Sequence, residues 1–151
     1  MIGRGGGRSP ATLATLGLKG AGGFVGVSWG SPDSWLLSVQ DTPSILPAVN
    51  AHGPGVDNHL SAIVGFTWKD YNFALGPAFS FYSMPACSPS LCSRVVGIAI
   101  GGMAQVDAYF AGRFGLSATV NVDWIGGSSV VLPGGVLITA ALGPIVRWGA
   151  R

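Results

Sequence analysis

Between residues 94 and 125 the chain alternates with a period of two. Val96, Ile98, Ile100, Gly102, Ala104, Val106, Ala108 and Phe110 form one register; Gly97, Ala99, Gly101, Met103, Gln105, Asp107 and Tyr109 form the other. After a break at Ala111-Gly112-Arg113 the alternation resumes. Phe114, Leu116, Ala118, Val120, Val122 and Trp124 alternate with Gly115, Ser117, Thr119, Asn121 and Asp123. Successive side chains of a β-strand point to opposite faces, so this pattern predicts two strands, each with one apolar and one small or polar face. Both runs exceed the usual five or six residues of a strand in a soluble sheet. They match or exceed the roughly 9–11 residues that a tilted strand needs to cross a bilayer.

The same pattern runs through most of the chain. Leu60, Ala62, Val64, Phe66 and Trp68 alternate with His59, Ser61, Ile63, Gly65, Thr67 and Lys69, and a tight turn at Lys69-Asp70 follows. Tyr71, Phe73, Leu75, Pro77, Phe79 and Phe81 then carry the apolar face as far as a Pro/Ser-rich stretch at 84–93. The last strand presents Val136, Ile138, Ala140, Leu142, Pro144, Val146 and Trp148. Residues 34–40 add a sixth strand through Trp35, Leu37 and Val39. The Gly-rich stretch 16–29 is either one long strand or a hairpin turning within Gly20-Ala21-Gly22-Gly23. Pro77 and Pro144, which lack a backbone donor, predict a bulge each. Residues 41–58, with three Pro, read as a long loop, as do 84–93 and 126–134.

Two regularities follow. Connections alternate between short (69–70, 111–113) and long (84–93, 126–134), as in transmembrane barrels with short periplasmic turns and longer extracellular loops. Aromatic residues cluster at the strand ends of the apolar face: Trp68, Tyr71, Phe110, Phe114 and Trp148 beside the short turns, and Phe79, Phe81 and Trp124 at the other end. That is the arrangement of two aromatic girdles at the membrane interfaces.

Composition supports a membrane setting. Charged residues are 9% of the 151 residues, with six Asp and no Glu, against about 25% in a soluble domain. The length fits a single domain spanning 1–151. A net charge of +2, scattered along the chain, excludes a nucleic-acid partner. Residues 1–10 carry Arg4 and Arg8, and 11–18 are apolar but short and are followed by Lys19, which makes a poor secretory signal. Residues 1–11 are expected to be disordered or a signal remnant. Cys87 and Cys92, in a Pro/Ser stretch, read as a loop-tip disulfide of an oxidising compartment.

Over 59–148 these residues resemble the C-terminal strands of small bacterial outer-membrane β-barrel proteins, including an aromatic near the C-terminus; over 16–40 the resemblance is weaker. The resemblance implies an all-β, antiparallel, up-and-down transmembrane barrel of about eight strands in the bacterial outer membrane, with the lipid bilayer and the barrel-assembly machinery as partners. In the usual terminal signal the aromatic is the last residue, whereas here Gly149-Ala150-Arg151 follow Trp148. A helical membrane protein is a rival, because 125–146 carry no charge, but the Gly and Pro in that stretch oppose a continuous helix. A soluble β-sandwich or β-barrel binding protein would put Lys, Glu and Thr on its outer face, where this chain has Gly, Ala, Ser and Asn on its second register.

Candidate chemistry is sparse. His52 and His59 flank a Gly/Pro stretch with Asp57, a set that fits either a metal site or a solvated loop, and the solvated loop is favoured. Ser61 lies two residues from His59 on the same face. An outer-membrane lipid-modifying hydrolase would need such a pair with an acid, but the reading as small polar lumen residues is favoured. The expectation is a structural or weakly pore-forming, porin-like barrel with no catalytic activity, no cofactor and no bound metal; the solute, if any, is not specified by the sequence. By parity Lys69, Asp107 and Arg147 all leave the apolar face near the short-turn end. They predict a lumen charge cluster, with Asp107 between the two cations.

Overall fold

The computed structural model describes residues 11–19, 22–31, 33–46, 54–88, 91–110, 112–126 and 135–149. It contains eight strands: β1 (Ala11–Lys19), β2 (Gly22–Gly30), β3 (Trp35–Leu46), β4 (Gly55–Trp68), β5 (Tyr71–Ser88), β6 (Leu91–Tyr109), β7 (Phe114–Ile125) and β8 (Gly135–Gly149). Each strand pairs antiparallel with the next, and β1 also pairs with β8, closing an up-and-down barrel. Closure removes both sheet edges, so every strand finds a ladder partner on each side. This is what a sheet needs in surroundings that offer no water to its backbone.

The two registers become the two faces of the barrel wall. On β7 exposed and buried residues alternate without exception from Phe114 to Ile125. Val96, Ile98, Ile100, Phe114, Leu116, Val120, Val122, Trp124, Val136, Ile138 and Leu142 are all exposed on the outside. Ser38, Gln40, Asp57, His59, Ser61, Gln105, Asp107, Ser117, Thr119, Asn121, Asp123 and Arg147 are buried inside. A water-soluble protein does the reverse; an inverted wall of this kind is stable where the surrounding medium is itself apolar.

Of residues 1–11, expected to be disordered or a signal remnant, 1–10 lie outside the described residues and residue 11 opens β1; 16–29 belong to the β1–β2 hairpin and not to one long strand, with Lys19 opposite Gly22. The loops expected at 41–58 and 84–93 are largely strand. Pairing runs from Asp41↔Leu60 out to Leu46↔Gly55, and from Ser83↔Val96 out to Ser88↔Leu91. Pro and Ser suggested loops there, yet Pro43 and Pro85 keep their places in the ladder. Neither Pro77 nor Pro144 makes a bulge, since the register stays constant along each strand pair. Instead β4–β5 pairing skips from Ser61↔Ala78 to Val64↔Leu75 around Pro77, and β1–β8 pairing stops at Gly17↔Ile145, beside Pro144. A missing N–H thus costs local pairs without shifting the register. The loop expected at 126–134 falls, beyond Gly126, outside the described residues.

The connections divide the barrel into two ends. At the turn end lie 31–34, 69–70 and 110–113, where Asp33 and Lys69 take φ values of +54° and +53° and Gly112 +68°. These turns are tied to neighbouring strands: Asp33 Oδ1 accepts from the Lys69 backbone N–H at 2.6 Å, and Thr67 N–H donates to Ser34 O at 2.7 Å. At the opposite, loop end the β5–β6 hairpin is the longest, because these strands have 18 and 19 residues. Arg94 braces it, with Nε donating to Ser83 Oγ at 2.8 Å and Nη2 to Pro54 O at 3.4 Å.

Candidate functional site

The chemistry of this chain lies inside the barrel, in two polar clusters with an apolar layer between them on the β3–β6 side, opposite the polar Thr119 and Asn121 of β7. That middle layer is Leu36, Ile63, Ala74, Ala78 and Met103, all buried and contributed by β3 to β6. Ser61 lies against it, its hydroxyl donating to Met103 Sδ at 3.3 Å. The hydroxyl is therefore turned toward a thioether and forms no hydrogen bond with His59, and the Ser–His pair of a hydrolase is not assembled.

At the turn end Asp107 and Arg147 are buried, as their parity required. Asp107 accepts from Gln105 Nε2 at 2.9 and 3.0 Å and from Asn72 Nδ2 at 3.5 Å. Arg147 stacks its guanidinium on the Tyr109 ring, 3.7 Å from the centroid, and its Nε donates to Gly112 O at 3.1 Å. Tyr109 packs in turn with Phe24 and Ile145. Lys69 does not belong to this group. Strand parity ends with the last paired residue, Trp68, and the left-handed turn swings Lys69 to the surface. There its Nζ lies 5.2 Å from the Trp68 ring centroid.

At the loop end three ionisable side chains meet. Asp57 and His59 come from β4 and Asp123 from β7, and each is at most 2% exposed. His59 Nε2 donates to Asp123 Oδ2 at 2.6 Å, and His59 Nδ1 lies 3.3 Å from Asp57 Oδ2. Since β4 and β7 are not neighbours in the sheet, the His59–Asp123 bond is a crossbar through the lumen. Gly101 makes it possible: a Cβ there would lie 2.4 Å from Asp123 Oδ1 and 2.1 Å from the Val122 carbonyl. Above the crossbar Tyr82, Ala99 and Ile125 pack together; a Cβ at Gly97 would lie 2.3 Å from the Tyr82 hydroxyl.

Asp57 and His59 were among the candidates named from sequence. Asp123 was not, although its inward register was readable; what joins it to His59 is barrel closure, across 64 residues of chain. His52 lies outside the described residues. Cys87 and Cys92 face each other directly in the β5–β6 register. The aromatic positions Trp68, Tyr71, Phe110, Phe114, Trp148, Phe81 and Trp124 are exposed and Phe79 is half-buried. Trp68 and Tyr71 lie 6.4 Å apart by ring centroid, and Phe79 and Phe81 meet edge-on at 5.0 Å. Trp35, also exposed at the turn end and paired with Phe66, was not named as an interface residue.

No family model matches the chain, and no curated protein matches it. Two solved structures share its architecture. The N-terminal β-barrel domain of Pseudomonas aeruginosa OprF superposes with a TM-score of 0.55 at 14% identity, over 92% of this chain and 96% of that one. Neisserial surface protein A (NspA) superposes with a TM-score of 0.54 at 16% identity, over 93% of this chain and 96% of that one. At such identities the likeness is one of fold: the chain is an antiparallel up-and-down barrel of the kind found in small bacterial outer-membrane proteins.

Proposed function

We propose that this chain is an integral, non-catalytic β-barrel of the bacterial outer membrane, structural in role and at most weakly conducting. The observation that carries this reading is the apolar outer face, from Val64 and Phe66 on β4 through Val120 and Val122 on β7 to Ile138 and Leu142 on β8. A wall with Leu, Ile, Val and Phe exposed over several strands is suited to lipid and is far larger than the apolar patches of soluble monomers. The soluble binding-protein reading has no comparable support. The hydrolase reading is opposed by the Ser61 hydroxyl, which donates to Met103.

In this reading the exposed aromatics form the two interface girdles. The loop end, with the β5–β6 hairpin, lies outside the cell, and the turns face the periplasm. The direct register of Cys87 and Cys92 suits a cross-strand disulfide, which would close the hairpin. Trp148 on the outer face near the end of β8 is the residue offered to the barrel-assembly machinery. The lumen is closed by Asp107, Arg147 and Tyr109 at one end and by the His59 crossbar at the other, around the apolar middle layer.

The test is folding into detergent or lipid vesicles followed by gel migration without boiling, then planar-bilayer recording and an esterase assay. Heat-modifiable migration, conductance well below that of an open porin and no ester hydrolysis are expected. A single, heat-independent band would refute the membrane barrel, and hydrolysis that depends on Ser61 would restore the enzyme.

A further inference from the structure

The loop-end cluster has more negative charge than its own residues neutralise. Two carboxylates share one imidazole, so with both ionised even a protonated His59 leaves a net charge of −1. Among the described side chains Lys69, Arg94 and Arg113 are exposed and Arg147 is at the other end. Burying such an excess without a counter-ion is expensive. The hydrogen bonds sharpen the point. Asp123 Oδ1 is buried with no donor among the described residues, and besides the Asn58 backbone N–H no described group other than His59 reaches the buried Asp57 carboxylate. Thr42 and Ser80 flank His59 in register, on β3 and β5. They are 5% and 2% exposed, and both hydroxyls also lack a partner among the described residues.

The arrangement of the imidazole shows where a cation belongs. In the neutral tautomer that gives Nε2–H to Asp123, the Nδ1 lone pair faces Asp57 Oδ2 at 3.3 Å. A lone pair and a carboxylate oxygen repel unless something positive lies between them. Two ligand atoms bound at about 2.1 Å to one ion are about 3.0–3.4 Å apart, which matches this separation. A carboxylate behind the imidazole, fixing its tautomer, is the usual support of a metal-bound histidine. One ligand atom from each of Asp57, His59 and Asp123 lies within 4.8 Å of the others.

We infer that Asp57 and His59 bind a divalent transition-metal ion of the zinc class inside the loop end of the barrel, with Asp123 orienting His59 from behind. The donor set of one imidazole nitrogen and carboxylate oxygen suits borderline ions better than Ca²⁺ or Mg²⁺, which prefer all-oxygen sites. Thr42 and Ser80 would hold the water that completes the coordination. The ion also neutralises the cluster and ties Asp57 to the His59 end of the crossbar.

The test uses tag-free protein folded in detergent, stripped with a chelator, equilibrated with Zn²⁺, desalted and analysed for metal content. One Zn²⁺ per barrel is expected in the wild type and in His52→Ala, and none in His59→Gln or Asp57→Asn. Asp123→Asn should weaken binding about 10–100-fold, the usual effect of losing an outer-shell partner. Zn²⁺ should raise the urea midpoint of the wild type and leave that of Asp57→Asn unchanged. This second readout, with Co²⁺ absorption of the wild type as a third, keeps the test decisive if a variant fails to fold. No retained Zn²⁺ in the wild type, retention that survives both ligand substitutions, or retention of Ca²⁺ in place of Zn²⁺ would overturn the site.

Discussion

At the turn end of the lumen one carboxylate and one guanidinium are buried together, each supplied with partners of its own: amide donors for Asp107, and a ring and a carbonyl for Arg147. At the loop end two carboxylates and one imidazole are buried together, and Asp57 meets only the Asn58 backbone and the shared His59. Both clusters come from the same inward register of the same kind of strand. The difference shows that parity decides where a polar residue points but not whether its charge is matched. The turn end holds one buried anion and one buried cation, whereas the loop end holds two carboxylates with one imidazole, an excess that the inferred cation neutralises.

That contrast can be broken by substitution. The largest effect is expected at the turn end. Arg147→Ala removes a buried cation–π stack on Tyr109, worth about 2 kcal/mol, and a charged hydrogen bond to Gly112 O, worth about 1.5–3 kcal/mol, so it should cost about 3–5 kcal/mol. Urea unfolding in lipid vesicles, followed by tryptophan fluorescence, measures this, and a loss under about 1 kcal/mol would show that the plug is solvated. Next comes the outer wall, which provides the scale for both clusters. Ala118→Arg, near the middle of β7 and exposed, should cost about 2–4 kcal/mol in the same assay. Thr119→Arg, one residue away and buried, should be governed by lumen space and vary little with bilayer thickness.

The loop end should respond with the opposite sign. In chelator-treated protein, Asp123→Asn or Asp57→Asn removes excess charge, so stability should be unchanged or raised by about 1 kcal/mol. Losses as large as that of Arg147→Ala would make the two clusters equivalent and end the comparison. The smallest effect concerns the turns that frame the plug. Asp33→Ala deletes the acceptor of the Lys69 N–H at an exposed site and should cost about 0.5–1.5 kcal/mol. An unchanged urea midpoint would show that the turn holds without it.

Much of the fold was written in the chain. Period-two alternation over 96–125 assigned both faces of β6 and β7, because a strand's side chains have only two directions. Lys69-Asp70 was readable as a tight turn, and the position of Asp107 and Arg147 inside the barrel followed from counting. Composition was a poorer guide. Pro43 and Pro85 suggested loops, but a proline costs a ladder only the bonds its own nitrogen would have made, and the strands run through both. Lys69 was assigned to the lumen by the same counting, which stops being valid at the first residue with a left-handed backbone.

What the sequence alone determined about this protein is therefore local: where most strands run, which way their residues point, and that one register is apolar. Tertiary structure decided which inward residues meet. Asp123 and His59 are 64 residues apart and lie on strands that do not pair; they touch because eight strands close into a barrel narrow enough for side chains from opposite walls to reach each other. Closure also placed Gly101 where Asp123 needs space and separated Arg147 from the carboxylates that lack a cation. Distances across a lumen depend on strand number and register together, and no single stretch of sequence contains either.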